Sequence, residues 1–426
     1  MRNLKTYFIA VCCLLLSIAA FAQEFVPNYE ESKIPAYALP EILVSKEGQS
    51  ITSVDQWETI RRPEIVTDFE TYVYGRIPKE KFEVQKEVLI EADILGGKAH
   101  LKETKLTFSR QGRQISMNIL LILPKKIDKV PVFVGLNFYG NQTILDDPAI
   151  AITESWTMQN DHFGIVNHKA TAASRGVRHY RWPVGQIIAR GYGLATIYYG
   201  DIDPDKDDFT DGVHALFYQP GQIRPDKDEW GAISAWAWGL SRSMDFLEQE
   251  PAVDASGVLV MGHSRLGKAA LWAGARDQRF AMVISNDSGC GGAALSRRKY
   301  GETVGRITTS FPHWFSDNFD QYANNEDALP VDQHMLVALV APRPVYVASA
   351  KDDLWADPKG EYLSAYRAGE AYRLYNLKGL ASETMPEVNH PVGASVGYHM
   401  RTGVHDVTDF DWNAWMDFAD RHLGRE

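Results

Sequence analysis

Gly262-His263-Ser264-Arg265-Leu266-Gly267-Lys268 directly follows the apolar run Val258–Met261 and opens a helix-compatible stretch, Ala269–Ala275. A strand, a sharp turn carrying a serine, and then a helix make a nucleophile elbow. The arrangement serves chemistry because a serine hydroxyl is a weak nucleophile. A strained turn lifts it out of a sheet to where a histidine base and amide donors can reach it. These residues therefore predict a serine hydrolase. The general pattern G-x-S-x-G is displaced here, since Leu266 fills the place of the second glycine and Gly267 follows it. The competing reading is structural: serine is a favoured N-cap, and Ser264 could simply cap the helix.

A hydrolase of this kind carries its residues in the chain order serine, acid, histidine, with acid and base on loops after later strands. After the apolar run Val345–Ala350, the stretch Lys351-Asp352-Asp353-Leu354-Trp355-Ala356-Asp357 offers the acid. The stretch Tyr398-His399-Met400-Arg401-Thr402-Gly403-Val404-His405-Asp406 then offers the base. His390, His399 and His405 lie between the last expected strand and a closing helix that itself holds His422, and each could be a hydrogen-bonded structural side chain. His405 is preferred, because it sits in a glycine-containing loop just before that helix. Asn137-Phe138-Tyr139-Gly140-Asn141 occupies the region where hydrolases draw a second oxyanion contact, with a plain turn as the alternative. Val388-Asn389-His390-Pro391 has no metal-ligand spacing, and there is no Cys/His cluster and no H-E-x-x-H, so neither metal nor cofactor is expected.

The elements that must position these groups follow from hydrophobic periodicity. Alternating segments Phe82–Ile90, His100–Ser109 and Gln114–Leu123 read as antiparallel edge strands leading into the uniformly apolar Val130–Asn137. Apolar runs at Gly193–Tyr199, Val258–Met261, Ala281–Ser285 and Val345–Ala350 alternate with helix candidates such as Glu229–Gln249. That alternation predicts an α/β class chain, a largely parallel twisted sheet covered on both faces as a three-layer sandwich. Tyr372–Leu377 reads as one more strand and Asp411–Leu423 as an amphipathic closing helix. Residues 81–426 are read as one catalytic domain. Residues 23–80, rich in Pro and Glu and with a helical stretch Val54–Tyr74 broken at Pro63, are read as an N-terminal extension packed on it.

Residues 1–22 have the form of a secretory leader: Arg2 and Lys5, an apolar run Phe8–Ala19, and Ala20-Phe21-Ala22 as the cleavage site. A soluble product, secreted or periplasmic in a bacterium, is expected. Removing that leader takes away Cys12 and Cys13 and leaves Cys290 alone, so no internal disulfide can form and Cys290 is expected to be buried. No later stretch is apolar enough to span a membrane. The net charge is −11, and loss of Arg2 and Lys5 takes it to −13, which disfavours nucleic acid as a partner. Arg297-Arg298-Lys299 is too short to reverse that and reads as a solvated face. The abundance of aromatic residues, 11 Trp and 19 Tyr, suits sugar stacking and core packing equally.

Three spaced motifs carry a family resemblance: Gly262-x-Ser264-Arg265-x-Gly267-Lys268, Asp287-Ser288-Gly289-x-Gly291-Gly292-Ala293-Ala294, and Trp355-Ala356-Asp357-Pro358. Together they resemble carbohydrate esterase family 15, the glucuronoyl esterases, over roughly Phe133 to His405. The displaced glycine that departs from the general elbow agrees with this one. The resemblance implies an α/β-hydrolase fold, with Ser264 as nucleophile, His405 as general base and acid, and Arg265 as an oxyanion-stabilising group. The family uses two acid positions, and this chain has an aspartate at both: Asp353 is taken as the main partner of His405 and Asp287 as a supporting carboxylate. Lys268, Glu302 and Trp355 match the family's sugar contacts. The expected substrates are glucuronoxylan and lignin-carbohydrate esters, handled by a monomer without a cofactor.

Overall fold

The computed structural model describes residues 25–425. The leader-like stretch 1–22 lies outside them.

Ten strands form one sheet. From edge to edge these are Glu83–Ile94, Ala99–Arg110, Arg113–Pro124, Gly193–Tyr198, Val130–Asn137, Val253–His263, Met282–Asn286, Val345–Ala350, Val396–Arg401 and the short Val392–Gly393. The first three are antiparallel hairpin partners, and Arg113–Pro124 also runs antiparallel to Gly193–Tyr198. From Gly193–Tyr198 through Val396–Arg401 every neighbouring pair is parallel. Successive side chains on a strand point to opposite faces, so a strand buried on both sides reads as a near-continuous apolar run. Val130–Asn137 shows this: Val132, Val134 and Leu136 enter one core and Phe133 the other. The helices Ala232–Leu247, Arg265–Arg276 and Pro358–Leu374 cover the first core, and Val184–Ala189 and Asp409–Leu423 cover the second. This is the three-layer α/β-hydrolase sandwich.

Three readings of the sequence need correction. Tyr372–Leu377 is not a strand, because Tyr372 ends the buried face of helix Pro358–Leu374, which also carries Tyr362, Ala365 and Ala368. Its hydroxyl donates to the Arg343 carbonyl at 2.6 Å. The helix over Val54–Tyr72 is not broken at Pro63. A π-helical turn at Trp57–Arg61 leads directly into the α-helical segment Arg62–Tyr72, whose first turn holds Pro63. Arg297 and Arg298 are not a solvated face: both are buried, Arg297 paired with Asp332 and Arg298 with Asp357 at 2.8 Å and Glu31 at 2.6 Å. Buried cations require such partners.

Residues 25–80 share the main core. Trp57, Ile65, Phe69 and Tyr74 belong to the same cluster as Trp236 and Trp272, and the Tyr74 hydroxyl donates to the Gly291 carbonyl at 2.8 Å. Cys290 is buried beside that turn.

Candidate active site

The strand Val253–His263 ends at Ser264, whose φ of 59° and ψ of −132° are unfavourable for a side chain, and the helix Arg265–Arg276 begins at once. Holding a non-glycine residue there costs on the order of 1–3 kcal/mol. The neighbouring glycines explain how the turn closes. A Cβ on Gly262 would stand 2.0 Å from the Leu266 carbonyl oxygen, and one on Gly267 would stand 3.1 Å from that of Gly262. The second glycine thus falls three residues after serine, where the helix crosses closely over the strand and a Cβ would be crowded by its backbone. Ser264 makes no side-chain cap; its amide donates to the Asn286 carbonyl at 2.9 Å, and its hydroxyl is left uncommitted to the helix.

His405 lies between strand Val396–Arg401 and helix Asp409–Leu423. Its Nδ1 is 2.5 Å from Asp353 Oδ2, and its ring packs 4.4 Å from that of His263, the residue before Ser264. Among the described residues nothing engages its Nε2, and the side chain is 39% exposed. His263 is a neutral platform: burial, then the neighbouring His405, hold it well below the usual histidine range, and its Nδ1 meets Asn286 Oδ1 at 2.7 Å. The other histidines are committed elsewhere. His399 is in the last parallel strand, fully buried between Asp411 (2.9 Å) and the Tyr346 hydroxyl (3.0 Å). His390 and His422 meet backbone carbonyls.

The His405 loop is shaped by Arg401. It donates to the carbonyls of Val404 (3.0 Å) and Asp406 (2.5 Å) and to Asp411 Oδ2 (2.8 Å). The Asp352 amide donates to the Gly403 carbonyl at 3.0 Å, tying the acid loop to the histidine loop. Trp355-Ala356-Asp357-Pro358 is explained locally: Asp357 accepts from the Gly360 amide at 3.0 Å and caps helix Pro358–Leu374, with Pro358 at its first position.

The two candidate acids stand in different situations. Asp353 engages His405 directly. Asp287, at φ 44°, accepts from the Ala350 amide at 2.7 Å, and its other oxygen lies 3.5 Å from Arg401 and 3.9 Å from His263. Asp287, Asp353 and His405 bring one polar atom each within 4.8 Å of one another. Burial, followed by the charges of Glu361 and Asp353, holds Asp287 well above the carboxylate range. Glu361 lies under this turn, accepting from the amides of Ser288 (2.8 Å) and Gly289 (3.0 Å) and from Ser349 Oγ (2.6 Å); burial pushes it up to about 8.

Arg265 pairs with Asp205, and its guanidinium lies 4.7 Å from the centre of the Trp314 ring. Asp205 also accepts from Trp314 Nε1 (2.7 Å), the Tyr199 hydroxyl (3.1 Å) and His313 Nε2 (2.8 Å). Burial would raise it, but the His313 hydrogen bond and the Arg265 charge outweigh that and bring it down to about 2. Lys268 and Glu302 are both buried, and Lys268 lies 5.6 Å from the Trp314 ring centre. Burial lowers the Lys268 ammonium and raises the Glu302 carboxyl. The Glu302 amide donates to the Trp355 carbonyl at 3.0 Å, and Trp355 is 37% exposed, with Phe25 edge-on to its ring at 6.0 Å. Asn137 is buried and closes its own turn by accepting from the Gly140 amide at 2.8 Å.

Sequence reading missed Asp205, His313, Trp314, Arg401 and Glu361. Only Asp205 left a signal, as an aspartate in the segment that follows the carboxyl end of the strand Gly193–Tyr198, after the helical turn Tyr199–Ile202, on the side where open α/β sheets place ligands.

Comparison with known proteins gives the family. The family model for glucuronyl esterase, fungi, matches residues 185–376, a span that holds the elbow, both candidate acids, Glu302 and Trp355 but not His405. A carbohydrate esterase from an unknown prokaryotic organism is 50% identical over 404 residues, covering 95% of this chain and 94% of the relative. The chain belongs to carbohydrate esterase family 15. A glucuronoyl esterase from Solibacter usitatus, at 46% identity, superposes with a TM-score of 0.87 over 92% of this chain and 100% of that one. The 4-O-methyl-glucuronoyl methylesterase of Schizophyllum commune is 30% identical over 365 residues, covering 80% of this chain and 76% of the relative. Family 15 membership thus rests on nearly the whole described chain, and no described helix is long and apolar enough to cross a membrane.

Proposed function

We propose that this protein hydrolyses the ester joining (4-O-methyl-)glucuronic acid side chains of xylan to lignin alcohols, with Ser264 as nucleophile. The observation that carries the reading is the His405–Asp353 pair, with Nε2 unengaged, packed against the residue before a strained serine. Ser264 Oγ forms a bond to the C6 carbonyl carbon while its proton passes to His405 Nε2. The tetrahedral oxyanion is met by the Arg265 backbone amide and guanidinium. The C–O bond to the alcohol breaks, and the alcohol leaves with the proton from His405. Water then loses a proton to His405, attacks the glucuronoyl-enzyme, and releases the uronic acid and Ser264. Asp353 fixes the ring so that Nε2 faces the serine and stabilises the imidazolium, with Asp287 as a supporting carboxylate behind it.

Lys268 and Glu302 hydrogen-bond sugar hydroxyls and Trp355 packs on the ring. The family relative named 4-O-methyl-glucuronoyl methylesterase supports this substrate class. The leader-like residues 1–22 support secretion or periplasmic location, and the enzyme is taken to act as a monomer.

The test is hydrolysis of benzyl glucuronate beside acetylated xylan and a simple acetyl ester, with Ser264→Ala as blank. Serine-dependent release from glucuronate is the expected result. Activity confined to acetyl esters would overturn the substrate, and inactivity on all would overturn the mechanism.

A further inference from the structure

The cation that follows the elbow serine has a buried carboxylate partner. Arg265 is paired with Asp205, which among the described residues is the only hydrogen-bond acceptor of its guanidinium. Lys268 has Glu302 as the opposite charge that acts on it most strongly. Both cations share the Trp314 indole, and Asp205 accepts that indole's N–H at 2.7 Å, so one carboxylate fixes the cation and the surface on which it rests. With His313 and Tyr199 also donating, Asp205 is fully occupied and cannot swing away.

The proposed reaction gives this arrangement a consequence. The substrate is a neutral ester, whereas the product is a uronate anion that differs from it only by the missing alcohol. A bare guanidinium beside the acyl group would draw the anion back by charge alone, and de-esterified uronates would compete with every substrate molecule. We propose that Asp205 is a positioning residue that compensates the charge of Arg265, so that the acyl site prefers the neutral uronate ester to the free uronate. The paired guanidinium still presents N–H donors to an oxyanion at hydrogen-bond range, where orientation governs the interaction. Its attraction for an anion arriving from solvent is cancelled by the carboxylate beside it. This inference rests on the reading of Ser264 and Arg265 given above.

Binding is measured by calorimetry in the Ser264→Ala background, so that nothing turns over, with glucuronate and methyl glucuronate as probes. Asp205→Asn keeps the shape and removes the charge. Glucuronate should then bind about tenfold more tightly, while methyl glucuronate changes by less than about twofold. The double variant Asp205→Asn/Arg265→Gln should return glucuronate to the original affinity or weaker. In the Ser264 enzyme, Asp205→Asn should lower kcat on benzyl glucuronate with little change in KM, because a loosened Arg265 serves the oxyanion less well.

Acid binding unchanged or weaker in Asp205→Asn, in an enzyme that hydrolyses benzyl glucuronate, overturns this inference alone. A wild type inert on benzyl glucuronate overturns the functional reading and this inference with it. If Asp205→Asn does not fold, the salt dependence of glucuronate inhibition in the wild type decides. A compensated pair predicts less than about twofold change between roughly 0.05 and 0.5 M salt, and a several-fold weakening contradicts it.

Discussion

Two histidine–aspartate pairs stand close together in the chain and have opposite characters. His399 meets Asp411 at 2.9 Å and the Tyr346 hydroxyl at 3.0 Å, so both ring nitrogens are used, and it is sealed from solvent. His405 meets Asp353 at 2.5 Å, and 39% of its side chain is exposed. Asp411 is shared among His399, Arg401 and the Thr408 amide as part of a capping box, so that pair anchors the closing helix. Asp353 has the single histidine to orient. A histidine–carboxylate contact is thus no mark of catalysis by itself. What separates the two is the nitrogen left open and the contact with His263, the residue before the strained serine.

The largest effect expected is from the serine: Ser264→Ala should lower kcat on benzyl glucuronate by roughly 10⁴-fold or more, with a thermal midpoint no lower than that of the wild type. The next sharpens the two acids. Asp353→Asn should cost about 10²–10⁴ in kcat because the ring loses its fixed tautomer, while Asp287→Asn, which leaves that contact intact, should cost less than about tenfold. Steady-state rates on one substrate check both.

Arg401 joins the two pairs, reaching Asp411 at 2.8 Å, Asp287 at 3.5 Å and the carbonyls around His405. Arg401→Leu should therefore destabilise by about 3–5 kcal/mol in urea unfolding, since it leaves buried carboxylates without their cation. Glu361 gives a pH signature. A carboxyl that holds its proton more tightly when folded loses stability as pH rises from its unfolded value, about 4.3, through its folded value of about 8. Unfolding midpoints should fall across that window, and the fall should be shallower in Glu361→Gln. Smallest of all, Trp355→Ala should raise KM several-fold with kcat nearly unchanged, as loss of a contact made equally in ground and transition states requires.

Much of this site was legible because its parts are local. The elbow is read from contiguous residues: an apolar strand, a serine, and glycines where a Cβ would strike backbone. Val130–Asn137 and Val345–Ala350 were read to the residue, because strands buried on both faces are mostly apolar along their length. Tyr372–Leu377 misled because a short apolar run has no period of its own, and the helix that owns it is set by Pro358 and Asp357 well upstream. Arg297 and Arg298 misled because their partners, Asp332, Asp357 and Glu31, are distant in sequence. The partners of Asp205, His313 and Trp314, were invisible for the same reason: they lie more than 100 residues downstream, and the network that holds Arg265 exists only once the two segments meet. The choice between His399 and His405 followed loop position, and only the fold shows which nitrogen is free.

The most direct test is therefore a paired measurement: kcat on benzyl glucuronate and the thermal unfolding midpoint for His405→Gln and His399→Gln. His405→Gln should lose roughly 10³-fold or more in kcat with the midpoint unchanged, whereas His399→Gln should keep most of the rate and lose stability. A fully active His405→Gln, or a His399→Gln that unfolds normally but cannot turn over, would contradict the account.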